Sequence, residues 1–434
     1  MQKIIINNFG PISSCELSMN DIMIFIGEQA SGKSTICKSV YFFKAMRDDI
    51  FAYFVESINT RQFDKFPRVI NTRNRRRFLD FFGSSRHLDK TFLNFQYSPN
   101  NYVEVSLSPG DKNITINYSA QMLRSMREIE EKAKIFSEEL YEDTNDLLSI
   151  QTQLAQKRAF YNEIKSELNN VFFDDRDLAY IPAGRSLLSL LSDQLSTISI
   201  TNLDYITGQF LRIIQEEKIS FKDGIDELVL TKRQTSVDRI NRKMVELAKN
   251  SLKKVLKGEY RYDAAGERIL IGNQSNKFVR INYASSGQHE AIWILYLLFS
   301  WILNQKKMFV VIEEPEAHLF PVAQKDLINL IALFANHNSN QVMITTHSPY
   351  ILTSVNNLLY AYKVGQAKEE QVSQIINKAY WLDAHRVSAY LLGAEEKSPK
   401  EIIERENGLI RAEEIDFVSD IISKEYHHIY NLEG

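Results

Sequence analysis

The chain has 434 residues, a formal net charge of −3, and 44% hydrophobic and 25% charged residues. That length exceeds one simple core and predicts two or three lobes, while the near-neutral balance excludes a globally basic nucleic-acid binder and leaves only local patches. Two cysteines, Cys15 and Cys37, fit a reducing compartment and exclude a disulfide framework or a cysteine-based zinc site. The start, Met1-Gln-Lys-Ile-Ile-Ile, lacks a basic segment leading into a long apolar one, so no signal peptide is expected. The longest apolar run, Ala291 to Leu303, is too short to span a bilayer and reads as a buried helix. A cytoplasmic protein without membrane contact is the expectation.

In chain order, Lys3 to Ile6 and Ser14 to Leu17 alternate as two strands around the turn Asn8-Phe-Gly-Pro11. The apolar strand 22–26 then stops at Gly27-Glu28-Gln29-Ala30-Ser31-Gly32-Lys33-Ser34-Thr35, and a helix runs from Lys33 to about Arg47. The loop fits G-x-x-x-x-G-K-[ST] without a mismatch. Gly27 and Gly32 let the backbone bend so that successive N–H groups, from Glu28, Gln29, Ala30 and Ser31 onward, converge on phosphate oxygens. The helix N-terminus adds its dipole, Lys33 reaches the β- and γ-phosphates, and the Ser34 hydroxyl completes the shell of a Mg²⁺ ion. A chance glycine turn is disfavoured because both the strand before and the helix after are present. The stretch predicts binding of a nucleoside triphosphate, ATP with Mg²⁺.

Residues 50–95 read as irregular. Within them, Arg73-Asn-Arg75-Arg76-Arg77 beside Phe78, Phe81 and Phe82 is either a nucleic-acid track or, more commonly for such a run, a solvated helix face over core aromatics. A hairpin follows, Tyr102–Leu107 and Asn113–Tyr118 across Pro109-Gly-Asp-Lys. From Met122 a heptad carries Met122, Ile129, Phe136, Asp143, Ile150, Lys157 and Ile164 on one seam. Met126, Ala133, Leu140, Leu147, Leu154, Tyr161 and Leu168 occupy the other, with a bend expected in Tyr141–Asp146. This predicts a coiled-coil or helical-hairpin insertion or a packed helical subdomain, and does not say whether the seams pair within one chain or between two. Leu178-Ala-Tyr-Ile-Pro-Ala-Gly-Arg185 is a strand ending in a glycine turn, where Arg185 either senses a phosphate or pairs with an acidic neighbour; the first reading is slightly preferred. Helices fill much of 186–257, including the basic run Arg239 to Lys257, before short strands at Arg268–Ile271 and Phe278–Ile281.

Three motifs follow. Ala284-Ser285-Ser286-Gly287-Gln288 opens the apolar helix with an anion-binding cap. The run Met308-Phe-Val-Val-Ile ends in Glu313-Glu314-Pro315-Glu316-Ala-His318, adjacent carboxylates of the kind that hold Mg²⁺ and polarise a water. After a helix from Pro321 to Phe334, Gln341-Val-Met-Ile-Thr345-Thr346-His347-Ser348-Pro349 brings a histidine to a third strand end, where it can hydrogen-bond a γ-phosphate.

Phosphate loop, S-S-G-Q, E-E-P-E-A-H-L and T-T-H-S-P together resemble an ABC-class ATPase head in the manner of the RecF, SMC and overcoming-lysogenization-defect (OLD) ATPases. The resemblance covers about residues 1–356, including the opening strand and turn. It implies an α/β fold: a P-loop ABC-type head, a mixed sheet with an antiparallel N-terminal β-lobe, and a helical insertion. The expected domains are an N-terminal lobe over 1–120, the insertion over 121–215, a C-terminal lobe over 216–362 and a helical tail over 363–434. It further implies that Lys33, Ser34 and Thr35 hold phosphates and Mg²⁺, Glu313 binds the metal, Glu314 is the general base and His347 the switch histidine. Ser285, Ser286, Gly287 and Gln288 form the signature that completes the site of a second subunit in a head-to-tail homodimer or higher oligomer. Glu316 and His318 match the dimer-contacting segment, and Gln96 is a candidate for the Q-loop. Two departures are Glu313 in place of the usual aspartate, shared with OLD-like ATPases, and A-S-S-G-Q in place of L-S-G-G-Q.

The long interval from Lys33 to Glu313 disfavours a transporter subunit. After His347 there is no D-x-D, so no TOPRIM nuclease is expected, and the adjacent His427-His428 point about 100° apart on a helix. Stand-alone heads of this kind resemble ATPase subunits of bacterial anti-phage systems (Septu, PARIS, retron-associated), which implies control of a separate nuclease or toxin. The alternative is a RecF-like repair ATPase binding DNA through Arg73–Arg77 and Lys253–Lys257.

Overall fold

The apolar run before the phosphate loop becomes the strand Ile22–Gly27, with Ile22 to Ile26 all buried. A computed structural model describes the chain except residues 1, 65, 84–89, 108–113, 141–146, 191–202, 236–239, 264–265, 273–276, 394–397, 405, 412–416 and 431–434. The expected turn at Pro109–Lys112 and the bend at Tyr141–Asp146 lie outside the described residues. The chain divides into two compact units, Met1–Met19 with Ser34–Leu178, and Asn20–Lys33 with Ala179–Gly434.

The first unit is built on a five-stranded sheet in the order Ile12–Ser18, Lys3–Phe9, Thr91–Gln96, Tyr102–Leu107, Thr115–Tyr118. All its pairings are antiparallel, and Lys3 to Asn7 alternate half-exposed and buried residues, as a sheet with one covered face requires. Gly10 turns the first hairpin at φ +57°, and a Cβ there would meet the Thr35 side chain at 3.8 Å. The helix beginning at Lys33 does not stop near Arg47 but runs to Thr60, and 50–95 is not irregular: a second helix, Phe66–Phe82, and the strand Thr91–Gln96 follow. The reason is aromatic packing. Ile50, Tyr53, Phe54 and Ile58 keep helical spacing and are buried, and Phe42 meets Phe78 edge-on at 5.4 Å.

The arginine run lies on the second helix above those rings. Arg73 pairs with Glu56 at 2.7 Å and Arg77 with Asp49, while Arg75 and Arg76 are exposed. The heptad segment forms the helices Ala120–Glu139 and Leu147–Phe172, which face each other within the chain. Phe136 stacks on Phe160 at 4.0 Å, Lys132 pairs with Glu167, and Gln153 Nε2 donates to the Leu140 carbonyl at 2.9 Å. Partners that separate in opposite directions along the sequence mean an antiparallel hairpin.

The second unit centres on a six-stranded sheet in the order Lys400–Glu401, Val387–Leu392, Ile22–Gly27, Gln341–Thr346, Met308–Glu313, Asp177–Ile181. The loop strand runs parallel to both its neighbours, and Gln341–Thr346 is parallel to Met308–Glu313. Strands sandwiched this way are apolar without alternation, which is why Met308–Glu313 and Gln341–Thr346 are buried at every position. The helices Ser286–Leu303, Pro321–Ala335 and Pro349–Gly365 supply much of the surrounding core. A smaller antiparallel sheet contains Phe278–Arg280, Gly266–Leu270 and Glu259–Asp263.

The helical expectation for 363–434 needs correction. Among the described residues, Phe417–Tyr430 is the longest helix lying wholly in that stretch, and Val387–Leu392 is a strand paired with the phosphate-loop strand. Its Val-Ser-Ala-Tyr-Leu-Leu sequence shows no period of two because both faces are covered. Among the described residues, no helix is long and apolar enough to cross a membrane.

Candidate functional site

The parallel register brings three strand ends level. Gly27 lies opposite Leu392, Ile26 opposite Thr346, and Thr345 opposite Glu313. Carboxyl ends of parallel strands are where open α/β sheets place ligands, because the chain must leave the sheet there as loops.

At the first of these ends the loop geometry demands glycine. Gly27 has φ +151°, and a Cβ on it would sit 1.9 Å from the Leu392 carbonyl oxygen. Ala30 and Gly32 also have positive φ, 59° and 103°, which turns the loop back toward its helix. Lys33 is buried, and its Nζ donates to the Gly27 and Glu28 carbonyls at 2.8 and 2.7 Å. Glu28, Gln29 and Ala30 are exposed, and Ser31 is buried with no hydrogen-bond partner for its Oγ among the described residues. Ser34, in the first turn of the helix, is exposed, and Thr35 is half-buried and accepts from Ser39 through its carbonyl.

At the second end, Glu313 is 7% exposed and each of its carboxylate oxygens has a donor. The Tyr180 hydroxyl donates to Oε1 at 2.8 Å, and the Ala183 amide to Oε2 at 3.1 Å. Glu314 follows with φ +42°, a left-handed conformation that costs a non-glycine residue free energy and that surrounding bonds must hold in place. Its amide donates to the Thr345 carbonyl at 2.9 Å, and its own carbonyl accepts from the Ala317 amide and from Arg185.

At the third end, His347 Nε2 lies 3.3 Å from Glu314 Oε1, both side chains being partly exposed. The histidine is aimed by Glu316, whose Oε1 accepts from the Thr346 hydroxyl and from the His347 amide, each at 2.7 Å. Ser348 then caps the next helix, accepting from the Tyr350 amide and donating to Gln324 Oε1 at 2.6 Å. Geometrically, a carboxylate and an imidazole share one exposed corner at the ends of two parallel strands, beside the strand that carries the phosphate loop.

Arg185 is not poised for a phosphate. Its side chain is fully buried, and burial pushes its pKa below the usual arginine value against the pull of Glu290 and the neighbouring glutamates. The guanidinium donates to four carbonyls: Glu290 at 3.0 Å, Pro182 at 2.6 Å, Glu313 at 2.6 Å and Glu314 at 2.9 Å. It also pairs with Glu290 Oε2 at 3.2 Å. Since Glu290 belongs to the apolar helix Ser286–Leu303, Arg185 ties that helix to the acidic strand end.

The helix begins with the expected cap. Ser285 and Gln288 form a capping box, with the Ser285 hydroxyl accepting from the Gln288 amide at 3.3 Å and Gln288 Oε1 accepting from the Ser285 amide at 3.1 Å. Ser285 and Ser286 are exposed. Gly287 leaves no room for a side chain, since a Cβ would meet the His318 carbonyl at 2.7 Å. The signature segment and the segment after the acidic strand therefore pack backbone against backbone. Gln96 closes its strand in the first unit, opposite Lys3 and Tyr102.

Sequence reasoning missed Tyr180, the Ala183 amide, Glu290 and the positioning role of Glu316. A tyrosine within an otherwise aliphatic strand, Leu178-Ala-Tyr-Ile, was the one available signal: a buried hydroxyl has to find a partner.

The sheet, the glycine loop entering a helix, and the adjacent glutamates at a parallel strand end define an α/β P-loop fold. The AAA ATPase domain family matches residues 1–352, and the chain belongs to that family. No curated protein matches the chain. Among solved structures, the SMC head domain from Thermotoga maritima is 12% identical, with 81% of this chain and 90% of that one covered at a TM-score of 0.34. An Smc head bound to the C-winged helix domain of ScpA is 11% identical over 92% and 96%, with a TM-score of 0.41. An Smc head with an extended coiled coil, bound to the C-terminal domain of ScpA derived from Pyrococcus furiosus, is 12% identical over 93% and 96%, with a TM-score of 0.38.

Proposed function

We propose that this AAA-family ATPase hydrolyses ATP with Glu314 as general base and His347 as its partner, closes into a head-to-tail homo-oligomer, and in doing so controls a separate effector protein, a nuclease or toxin of bacterial anti-phage defence. The observation that carries the catalytic part is the 3.3 Å approach of His347 Nε2 to Glu314 Oε1 at adjoining strand ends. A carboxylate so placed accepts a proton from an attacking water, while the imidazole holds it in position and reaches toward the departing γ-phosphate.

Lys33 and the loop amides bind the phosphates, the Ser34 hydroxyl and the Glu313 carboxylate are the Mg²⁺ ligands, and Ser285, Ser286, Gly287 and Gln288 present their helix end to the nucleotide of a partner subunit. The donor chemistry fits: a hydroxyl and a carboxylate are hard oxygen ligands, and Glu313 retains free lone pairs because only one protein donor reaches each oxygen among the described residues. When bound, Mg²⁺ neutralises charge on the phosphate oxygens. Glu313 and Glu314 divide the work because Glu313 is buried and clamped whereas Glu314 is partly exposed.

The effector reading is supported by an ATPase head with exposed signature residues and by an intramolecular helical hairpin that offers a docking arm. The repair alternative, DNA binding through Arg73–Arg77 and Lys253–Lys257, is weakened at the first run, where Arg73 and Arg77 already pair with Glu56 and Asp49.

The test is the mass of wild type and of Glu314→Gln, each with and without ATP and Mg²⁺, after recovery from native extract, alongside their turnover. We expect turnover to fall at least about 100-fold in the variant, an ATP-stabilised oligomer, and a stoichiometric nuclease or toxin partner. An ATP-dependent dimer that retains DNA and no protein would move the conclusion to repair. Unchanged turnover in Glu314→Gln would overturn the catalytic assignment.

A further inference from the structure

We propose that Tyr180 is a positioning residue for divalent-cation binding, acting through Glu313. This rests on the reading of Glu313 as the metal-binding carboxylate and goes beyond it, since no motif assigns Tyr180 a role. The hydroxyl donates to Glu313 Oε1 at 2.8 Å, both residues are buried, and the ring is 1% exposed. The opposite oxygen takes the Ala183 amide at 3.1 Å.

Two fixed donors, one per oxygen, do two things. They set the plane of the carboxylate, and they leave one lone-pair direction on each oxygen for a cation. The donors are themselves immobilised. Tyr180 sits in the strand next to Met308–Glu313 in the sheet order, and the turn carrying Ala183 is pinned where Arg185 grips the Pro182 and Glu313 carbonyls at 2.6 Å each. A carboxylate left to rotate in its place would have to pay orientational entropy on each binding event. Partners of this kind behind a metal ligand are commonly worth 10- to 100-fold in metal affinity or activity.

The test uses the full chain and Mn²⁺ as the probe, titrated into protein saturated with a non-hydrolysable ATP analogue and read by electron paramagnetic resonance. Wild type, Tyr180→Phe, Ala183→Pro and Glu313→Gln are compared, with nucleotide affinity in the absence of metal as a reference. Tyr180→Phe removes one oxygen and keeps the ring; Ala183→Pro removes the other donor by an independent route, should the first variant fold poorly. We expect Mn²⁺ affinity in Tyr180→Phe to fall by about 10- to 100-fold. Metal-free nucleotide affinity should stay constant, and the Mg²⁺ concentration for half-maximal turnover should rise by more than kcat falls. Wild-type Mn²⁺ affinity in Tyr180→Phe, with Glu313→Gln impaired, overturns the inference alone. Wild-type affinity in Glu313→Gln overturns the metal reading beneath it. A fall in kcat at unchanged Mn²⁺ affinity reduces Tyr180 to a packing residue and also overturns the inference.

Discussion

Replacing Arg185 by methionine should cost the second unit more than almost any other single change. The guanidinium and the Glu290 carboxylate are 0% and 3% exposed, so Arg185→Met leaves a buried carboxylate without its cation, a loss of about 3–5 kcal/mol. Glu290→Met leaves the guanidinium charged in the same place, but still bonded to four carbonyls, so its cost should lie nearer the lower figure. The double variant removes both charges and loses only the neutral bonds. Its destabilisation should therefore fall short of the sum of the single ones by at least about 2 kcal/mol. The molecule provides its own probe: all three tryptophans, Trp293, Trp301 and Trp381, are buried in the unit that holds the pair, so urea unfolding followed by their fluorescence isolates that unit. Additivity within about 0.5 kcal/mol would refute the argument, since it would mean that neither charge senses the loss of the other. Arg185→Lys should not rescue, because an ammonium cannot reproduce the planar fork that grips several carbonyls at once.

Two further outcomes are expected. Glu316→Ala removes the acceptor for the Thr346 hydroxyl and the His347 amide, freeing the segment that aims His347 at Glu314; steady-state kinetics should show kcat reduced by about 10-fold or more at nearly unchanged nucleotide affinity. In the first unit, burial pushes Asp174 up but the charges of Lys44 and Arg176 outweigh it and hold the pKa down at about 2. A carboxylate depressed in the folded state stabilises it above the unfolded pKa and loses that contribution as pH falls through the folded one. The margin by which wild type exceeds Asp174→Asn in unfolding free energy should then shrink by about 2 kcal/mol between pH 5 and pH 2, measured by circular dichroism.

How far the molecule can be read from its residues depends on the range of the physics involved. The three strand ends were legible because each consists of a local apolar run followed at once by residues that chemistry, not packing, would choose: Gly27 to Thr35, Glu313 and Glu314, Thr345 to Ser348. The partner strand Val387–Leu392 was not, since its register against Ile22–Gly27 spans most of the chain and its covered faces erase the period of two. Residues 50–95 misread for a related reason. Aromatics and arginines crowd the segment, yet helical order there comes from rings meeting across elements, as Phe78 does with Phe42 and Phe9.

Arg185 shows the deeper limit. A glycine turn with an arginine at its tip looks the same in sequence whether the side chain faces a ligand or the core, and only the buried Glu290 distinguishes the two. The same residue accounts for the backbone strain at Glu314. A left-handed non-glycine residue persists only when its surroundings over-determine it. Here the amide is bonded to the Thr345 carbonyl, and the carbonyl to the Ala317 amide and to Arg185. The clamp brings the carboxylate to His347 rather than letting it extend the strand, so the bond network that is hardest to see in the sequence places the residues that are easiest to see.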